Sequence, residues 1–208
     1  MEAAGRVLKM MYKKYPLFVM FLALCSAAAE AQRPQHSSGM LTFHPEKTQI
    51  AFTLGDVLHT VHGTFKLKSG SLHFDPASGA VSGTIIIDAT SGDSGSKARD
   101  RKMHKEILES DKYPEIAFTP THVSGSLTSS GDSQVQVAGI FRLHGSDHPI
   151  ILTVPVRVAG DEFTVKTHFA VPYVQWGLKN PSTFILRVND RVDIDLSATA
   201  HWTLSETH

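Results

Sequence analysis

Val135-Gln136-Val137-Ala138-Gly139-Ile140-Phe141-Arg142-Leu143, followed a few residues on by Ile150-Ile151-Leu152-Thr153-Val154-Pro155-Val156-Arg157-Val158, is the stretch that decides the fold. In the first run Val135, Val137, Phe141 and Leu143 share one parity, with Gly139 in register. In the second, Ile150, Leu152, Val154, Val156 and Val158 share one parity without a break. A period of two is the mark of strands with one buried face. Pro155 has no N–H to donate, so its position predicts a bulge or a weakly paired site in the second strand.

The same period runs outward in both directions. Upstream, Ile50, Phe52 and Leu54 alternate with Ala51 and Thr53, and Val57, Val61, Phe65 and Leu67 share a parity with His59 and Gly63 between them. Leu72 and Phe74 run into a turn signal, Asp75-Pro76-Ala77-Ser78-Gly79, after which Val81, Ile85 and Ile87 resume. Downstream, Phe163, Val165, Phe169 and Val171 form one strand, and Val192 to Trp202 forms the last, with Asp193 and Asp195 on its wet face. The pattern predicts an all-β chain: one extended antiparallel sheet of about eight strands, closed into a barrel so that its apolar side is buried and its edges disappear. Such a barrel holds either packed side chains or one small ligand, and the period leaves both open. Residues 96–110 interrupt the alternation with helix formers and predict a short inserted helix, with Met103, Ile107 and Leu108 on one side. Tyr173 to Thr183 reads as a loop.

The N-terminus has a different character. Lys9, Lys13 and Lys14 precede the apolar run Leu17 to Ala29 and the small-x-small site Ala29-Glu30-Ala31. Together these read as a secretory signal peptide over residues 1–31, cleaved after Ala31. A polar lead, residues 32–39, would then precede a barrel spanning 40–204. Leu24 stands before Cys25 where a lipoprotein signal wants a small residue, so lipidation at Cys25 is disfavoured. Cleavage removes that cysteine, the only one in the chain, and with it any disulfide or thiol chemistry. It also removes four basic and two acidic residues from a chain with 20 of each, leaving a net charge near −2. That balance gives no electrostatic case for nucleic acid or for stable attachment to an anionic membrane. The expected location is periplasmic or secreted. Transient membrane contact and a homodimer stay open.

Three ordered motifs resemble the YceI-like family over about residues 41–203. The first is Ile50-Ala51-Phe52-Thr53 with Val61-His62-Gly63-Thr64-Phe65 and Leu72-His73-Phe74-Asp75-Pro76. The second joins Arg99-Asp100 and Met103-His104 to Lys112-Tyr113-Pro114-Glu115-Ile116-Ala117-Phe118. The third is Val137-Ala138-Gly139-Ile140-Phe141-Arg142-Leu143-His144-Gly145 with His148-Pro149-Ile150. The chain departs from the family pattern at Lys105 to Ser110 and at Val171 to Gly177. The resemblance implies a lipocalin-like barrel whose interior accommodates a polyisoprenoid, isoprenoid quinone or fatty-acid-like chain, with no catalysis and no cofactor.

Candidate ligand-binding residues are the apolar-parity side chains Phe52, Phe65, Ile85, Phe118, Phe141, Leu152 and Phe169. Trp176, from the loop, and Arg99, from the helix, join them. Burial of each methylene is worth roughly 0.8 kcal/mol, so a long chain needs no polar contact for affinity. The chain's 12 histidines raise a second reading, a periplasmic stress-related metal-binding or interaction protein using surface residues such as His59 and His104. Against it, His59 and His62 fall on opposite faces of one strand. Asp100 and His104, at i,i+4 spacing, supply too few ligands for a closed site. The remaining histidines are expected at outward or turn positions. No serine stands in a nucleophile-elbow pattern and no paired carboxylates face inward, which leaves a hydrolase unsupported.

Overall fold

The computed structural model describes residues 38–55, 60–183 and 187–205, all within one compact unit, Gln35–His208. The expected signal peptide, residues 32–37 of the polar lead, and the segment containing Val57 and His59 lie outside the described residues. Nine strands follow in order: β1 (Gly39–Phe43), β2 (Gln49–Gly55), β3 (Thr60–Asp75), β4 (Ala80–Asp93), β5 (Glu115–Ser126), β6 (Gly131–Leu143), β7 (Ser146–Ala159), β8 (Glu162–Val171) and β9 (Val192–Leu204). Every pairing is antiparallel.

Nine strands make eight staves. β1 and β2 both lie between β3 and β9, end to end, so they are one stave broken by a 3-10 turn at Pro45–Lys47. Phe43 faces Ala200 and Gln49 faces Ser197, so the chain takes five residues where β9 uses two. With that stave in place the sheet closes on itself, an antiparallel barrel as the alternation predicts.

Closure is not uniform around the barrel. β7 pairs with β6 from Ser146 to Val158, but with β8 only from Val156 to Ala159. The β7–β8 ladder stops at Val156 opposite Val165, beside Pro155, which has no N–H to carry it further. Beyond that point side chains close the wall. The buried Thr167 hydroxyl donates to the Thr153 carbonyl across the seam at 2.9 Å. Trp176, from the loop after β8, stacks on His148 of β7 with centroids 4.2 Å apart and rings 4° from parallel.

The barrel's two ends differ. At the far end, where β1 starts and β9 stops, Val135, Val154, Val156, Val158, Phe163 and Ala200 form a packed core. Trp202 seals it, edge-on to Phe74 at 6.3 Å and tilted on Phe163 at 5.6 Å. A methyl group at Gly39 would meet the Trp202 ring at 2.5 Å, so that close approach needs glycine. The opposite end carries the inserted helix and a second cluster that includes Ala89, Leu108, Ile116, Phe141 and Leu143.

The helix is shorter than residues 96–110 suggested. α1 (Lys97–Lys102) runs on as a single π turn over Met103–Ile107, closed by the Leu108 N–H on the Met103 carbonyl at 2.8 Å. Glu109, at φ 47°, then turns the chain out. Met103, Ile107 and Leu108 do share a side, and it faces the barrel interior.

Candidate ligand-binding site

Between the helix and the packed far end lies a cavity of about 660 Å³. Its wall follows the inward parity of the strands. Along β9 the inward residues step down from Val192 through Ile194 and Leu196 to Ala198 at the floor. Six residue steps at ~3.3 Å, on strands tilted by ~40°, make a shaft ~15 Å deep. The two possibilities left open by the alternation are both realised, one in each half of the barrel.

Eight of the nine candidate residues meet here. Phe52, Phe65, Ile85, Phe118, Phe141, Leu152 and Phe169 line the shaft, and Arg99 stands at the helix end. Trp176 does not reach it. Its ring packs on Phe141 at 5.6 Å and covers His148, so it fills the seam beside the wall. The loop contributes Tyr173, Leu178, Pro181 and Val188, which sequence reasoning did not single out as site residues. They belong to no periodic run, so no signal marked them.

Glycines keep the shaft open. Phe52 lies opposite Gly63, and a methyl group there would overlap its ring and come within 2.5 Å of the Asp93 carbonyl. At Gly139 the Phe118 ring lies where a side chain would begin, and at Gly92 the Phe65 ring does the same, each at 2.7 Å. The aromatic rings therefore fold onto the wall instead of across the lumen.

Polar groups are few. Tyr173 donates its hydroxyl to the Asn189 carbonyl at 2.7 Å, and burial pushes its pKa up to about 12, so it stays neutral. Ser94, at the end of β4, is gripped from both sides. Its N–H and hydroxyl donate to the Asp100 carboxylate at 2.8 and 2.7 Å, and Arg99 donates from Nε and Nη2 to its Oγ and carbonyl at 3.2 and 2.9 Å. Those bonds, chiefly that from the Ser94 hydroxyl, hold the Asp100 carboxyl below the usual carboxylate range. Asp100 and Arg99 thus anchor the start of α1 through Ser94, not through each other. Lys102 donates to the Pro181 carbonyl at 3.3 Å, tying helix to loop.

Two histidines, His104 from the helix and His148, itself expected at an outward or turn position, are held inside the structure. His104 bridges helix and sheet: Nε2 meets the Gly92 carbonyl at 2.9 Å and Nδ1 meets the Ser110 hydroxyl at 3.1 Å. Since a carbonyl only accepts, Nε2 carries the proton, and neither nitrogen is left for a metal. His148 lies under Trp176 with Nε2 buried and without a partner among the described residues. Burial lowers its pKa from the ordinary histidine value. His59 lies outside the described residues. Among the described residues, no group of three or more His, Cys, Asp or Glu could hold a metal ion.

An antiparallel barrel with an apolar shaft in one half and a packed core in the other defines the class to which this protein belongs. The YceI-like domain matches residues 41–200, and the chain is a member of that family. A UPF0312 protein of Pseudomonas savastanoi pv. phaseolicola is 33% identical over 145 residues, 68% of this chain and 73% of the relative. A UPF0312 protein of Vibrio cholerae is 29% identical over 104 residues, so the match spans 49% of this chain and only about half, 53%, of that relative. Among solved structures, Burkholderia cenocepacia BcnA superposes with a TM-score of 0.61 at 19% identity, over 76% of this chain and 98% of that one. A polyisoprenoid binding domain from Saccharophagus degradans gives 0.59 at 16% identity, over 78% and 98%. At these identities the structural likeness concerns the fold.

Proposed function

We propose that this protein binds one long apolar lipid chain, of the polyisoprenoid or fatty-acyl kind, and carries it without chemical turnover. The observation that supports this is the shaft itself: about 660 Å³, within the ~300–1,000 Å³ usual for ligand sites, with a wall almost wholly apolar. A straight chain suits its depth. About twelve buried carbons at ~0.8 kcal/mol each give ~10 kcal/mol, and an association cost at the low end of ~4–15 kcal/mol leaves ~6 kcal/mol, a Kd of roughly tens of micromolar. The polyisoprenoid-binding character of the Saccharophagus domain supports the same class of ligand. Of the polar groups on the wall, Arg99, Lys102 and Tyr173 each spend at least one hydrogen bond on anchoring the helix or the loop. The signal-like N-terminus supports a location in the periplasm or outside the cell.

Mass spectrometry of organic extracts from protein purified without detergent tests the reading. Stoichiometric recovery of prenyl or acyl lipid is expected, together with uptake of such chains by delipidated protein. Repeated failure of both would remove it.

A further inference from the structure

At the mouth of the apolar shaft stand two cations; Asp100 and Glu106 lie near enough to feel their charge, but neither forms a salt bridge with them. Arg99 and Lys102 are one turn apart on α1, and both line the cavity. Neither makes an ion pair there, because the acids beside them are engaged elsewhere. Asp100 accepts from Ser94, and Glu106 binds Lys179 at 3.0 Å. Arg99 spends only one edge of its guanidinium. Nε and one hydrogen of Nη2 reach Ser94, leaving the end-on edge, Nη1 with the other Nη2 hydrogen, without an acceptor among the described residues. Two N–H groups side by side on that edge match the two oxygens of a carboxylate or phosphate. Ser94 is only 8% exposed and is also bonded to Asp100, so the guanidinium is held in place before any ligand arrives. Lys102, tied to the Pro181 carbonyl through one hydrogen, has two more to give.

We infer that the bound lipid carries an anionic oxygen head group, a carboxylate or a phosphate, gripped by the end-on edge of Arg99 and by Lys102 while its tail fills the shaft. This deepens the lipid-binding reading and rests on it. A neutral head such as a quinone would leave the end-on edge of Arg99 and the remaining hydrogens of Lys102 without an anionic acceptor.

Calorimetric affinities of the full chain for palmitic acid against cetyl alcohol, and for geranylgeranyl phosphate against geranylgeraniol, separate the two claims. Within at least one pair the acid binds tighter by about tenfold or more, an advantage that shrinks in high salt. A preference confined to one pair identifies the head as carboxylate or phosphate, and either result upholds the inference. Arg99→Gln and Lys102→Gln each weaken the acid by more than the corresponding alcohol, and an unchanged circular dichroism spectrum shows that the barrel is intact. If alcohols and acids bind equally, or the advantage survives in the double variant, the head-group inference falls and the shaft stands. If none of the four binds, the lipid-binding reading itself falls.

Discussion

Replacing Leu196 with tryptophan raises the floor of the shaft. Leu196 faces the lumen from β9, one inward step above Ala198, and its neighbours in the sheet are Ile50 on β2 and Thr167 on β8. An indole there blocks everything below it. Two residues of strand, at ~3.3 Å each and ~40° tilt, amount to ~5 Å of depth. That length holds about four methylenes, worth ~3 kcal/mol at ~0.8 kcal/mol apiece, or a Kd weakened by roughly 100-fold or more. The loss falls on ligands long enough to reach the floor. A congener about four carbons shorter ends above the block and keeps most of its affinity. Calorimetric titration of Leu196→Trp with both ligands reads the difference, with thermal melting as a control. The cavity has room for the ring, so Tm is expected to hold or rise. Equal loss for the long and short ligands, or no loss for either, refutes the orientation of a tail pointing to Ala198.

Three further outcomes follow from the barrel wall. Gly63→Ala forces the Phe52 ring off the wall and crowds the Asp93 carbonyl, costing about 1–3 kcal/mol in urea unfolding; an unchanged midpoint would show that the wall gives way freely. Thr167→Val deletes the hydroxyl bond across the β7–β8 seam and buries a methyl in place of the hydroxyl, a loss of about 1 kcal/mol. Wild-type stability at that substitution would mean that the loop alone closes the seam. His148 has its pKa lowered in the fold by burial, so below the unfolded value the unfolded chain binds the extra proton. Its contribution to stability is complete above pH 6.5 and declines as pH falls below it. His148→Phe keeps the stack on Trp176 and is expected to flatten the denaturation midpoint between pH 7 and 5. The same slope in variant and wild type assigns it to other groups.

How far the sequence can be read depends on periodicity. A period of two carries both strand identity and facing, so the inward sets on β6, β7 and β9 are legible, as are the lumen-facing phenylalanines. Whether those side chains pack together or leave a shaft is not legible, because that depends on where glycines fall opposite aromatic rings. Phe52 opposite Gly63 is a cross-strand relation, known only once β2 and β3 are in register. Pro155 marks a weak point, but the strand that withdraws from it cannot be named from the sequence. Nothing in the sequence shows that the loop carrying Trp176 folds back over the seam and not into the mouth. His104 and His148 escape because their partners, Gly92 and Trp176, lie 12 and 28 residues away in sequence. Loop residues such as Leu178 and Val188 obey no period and are found only in three dimensions.

The division of the barrel into a packed half and a hollow half has a consequence for how sequences of this kind can diverge. A packed core surrounds Trp202, Phe163 and the valines of β6 and β7, while the lumen is shaped by side chains of α1 and by Tyr173, Leu178, Pro181 and Val188. A substitution that reshapes the lumen draws little on the reserve held at the opposite pole. Side chains of the lumen can therefore change one at a time without a matching repair at the packed pole.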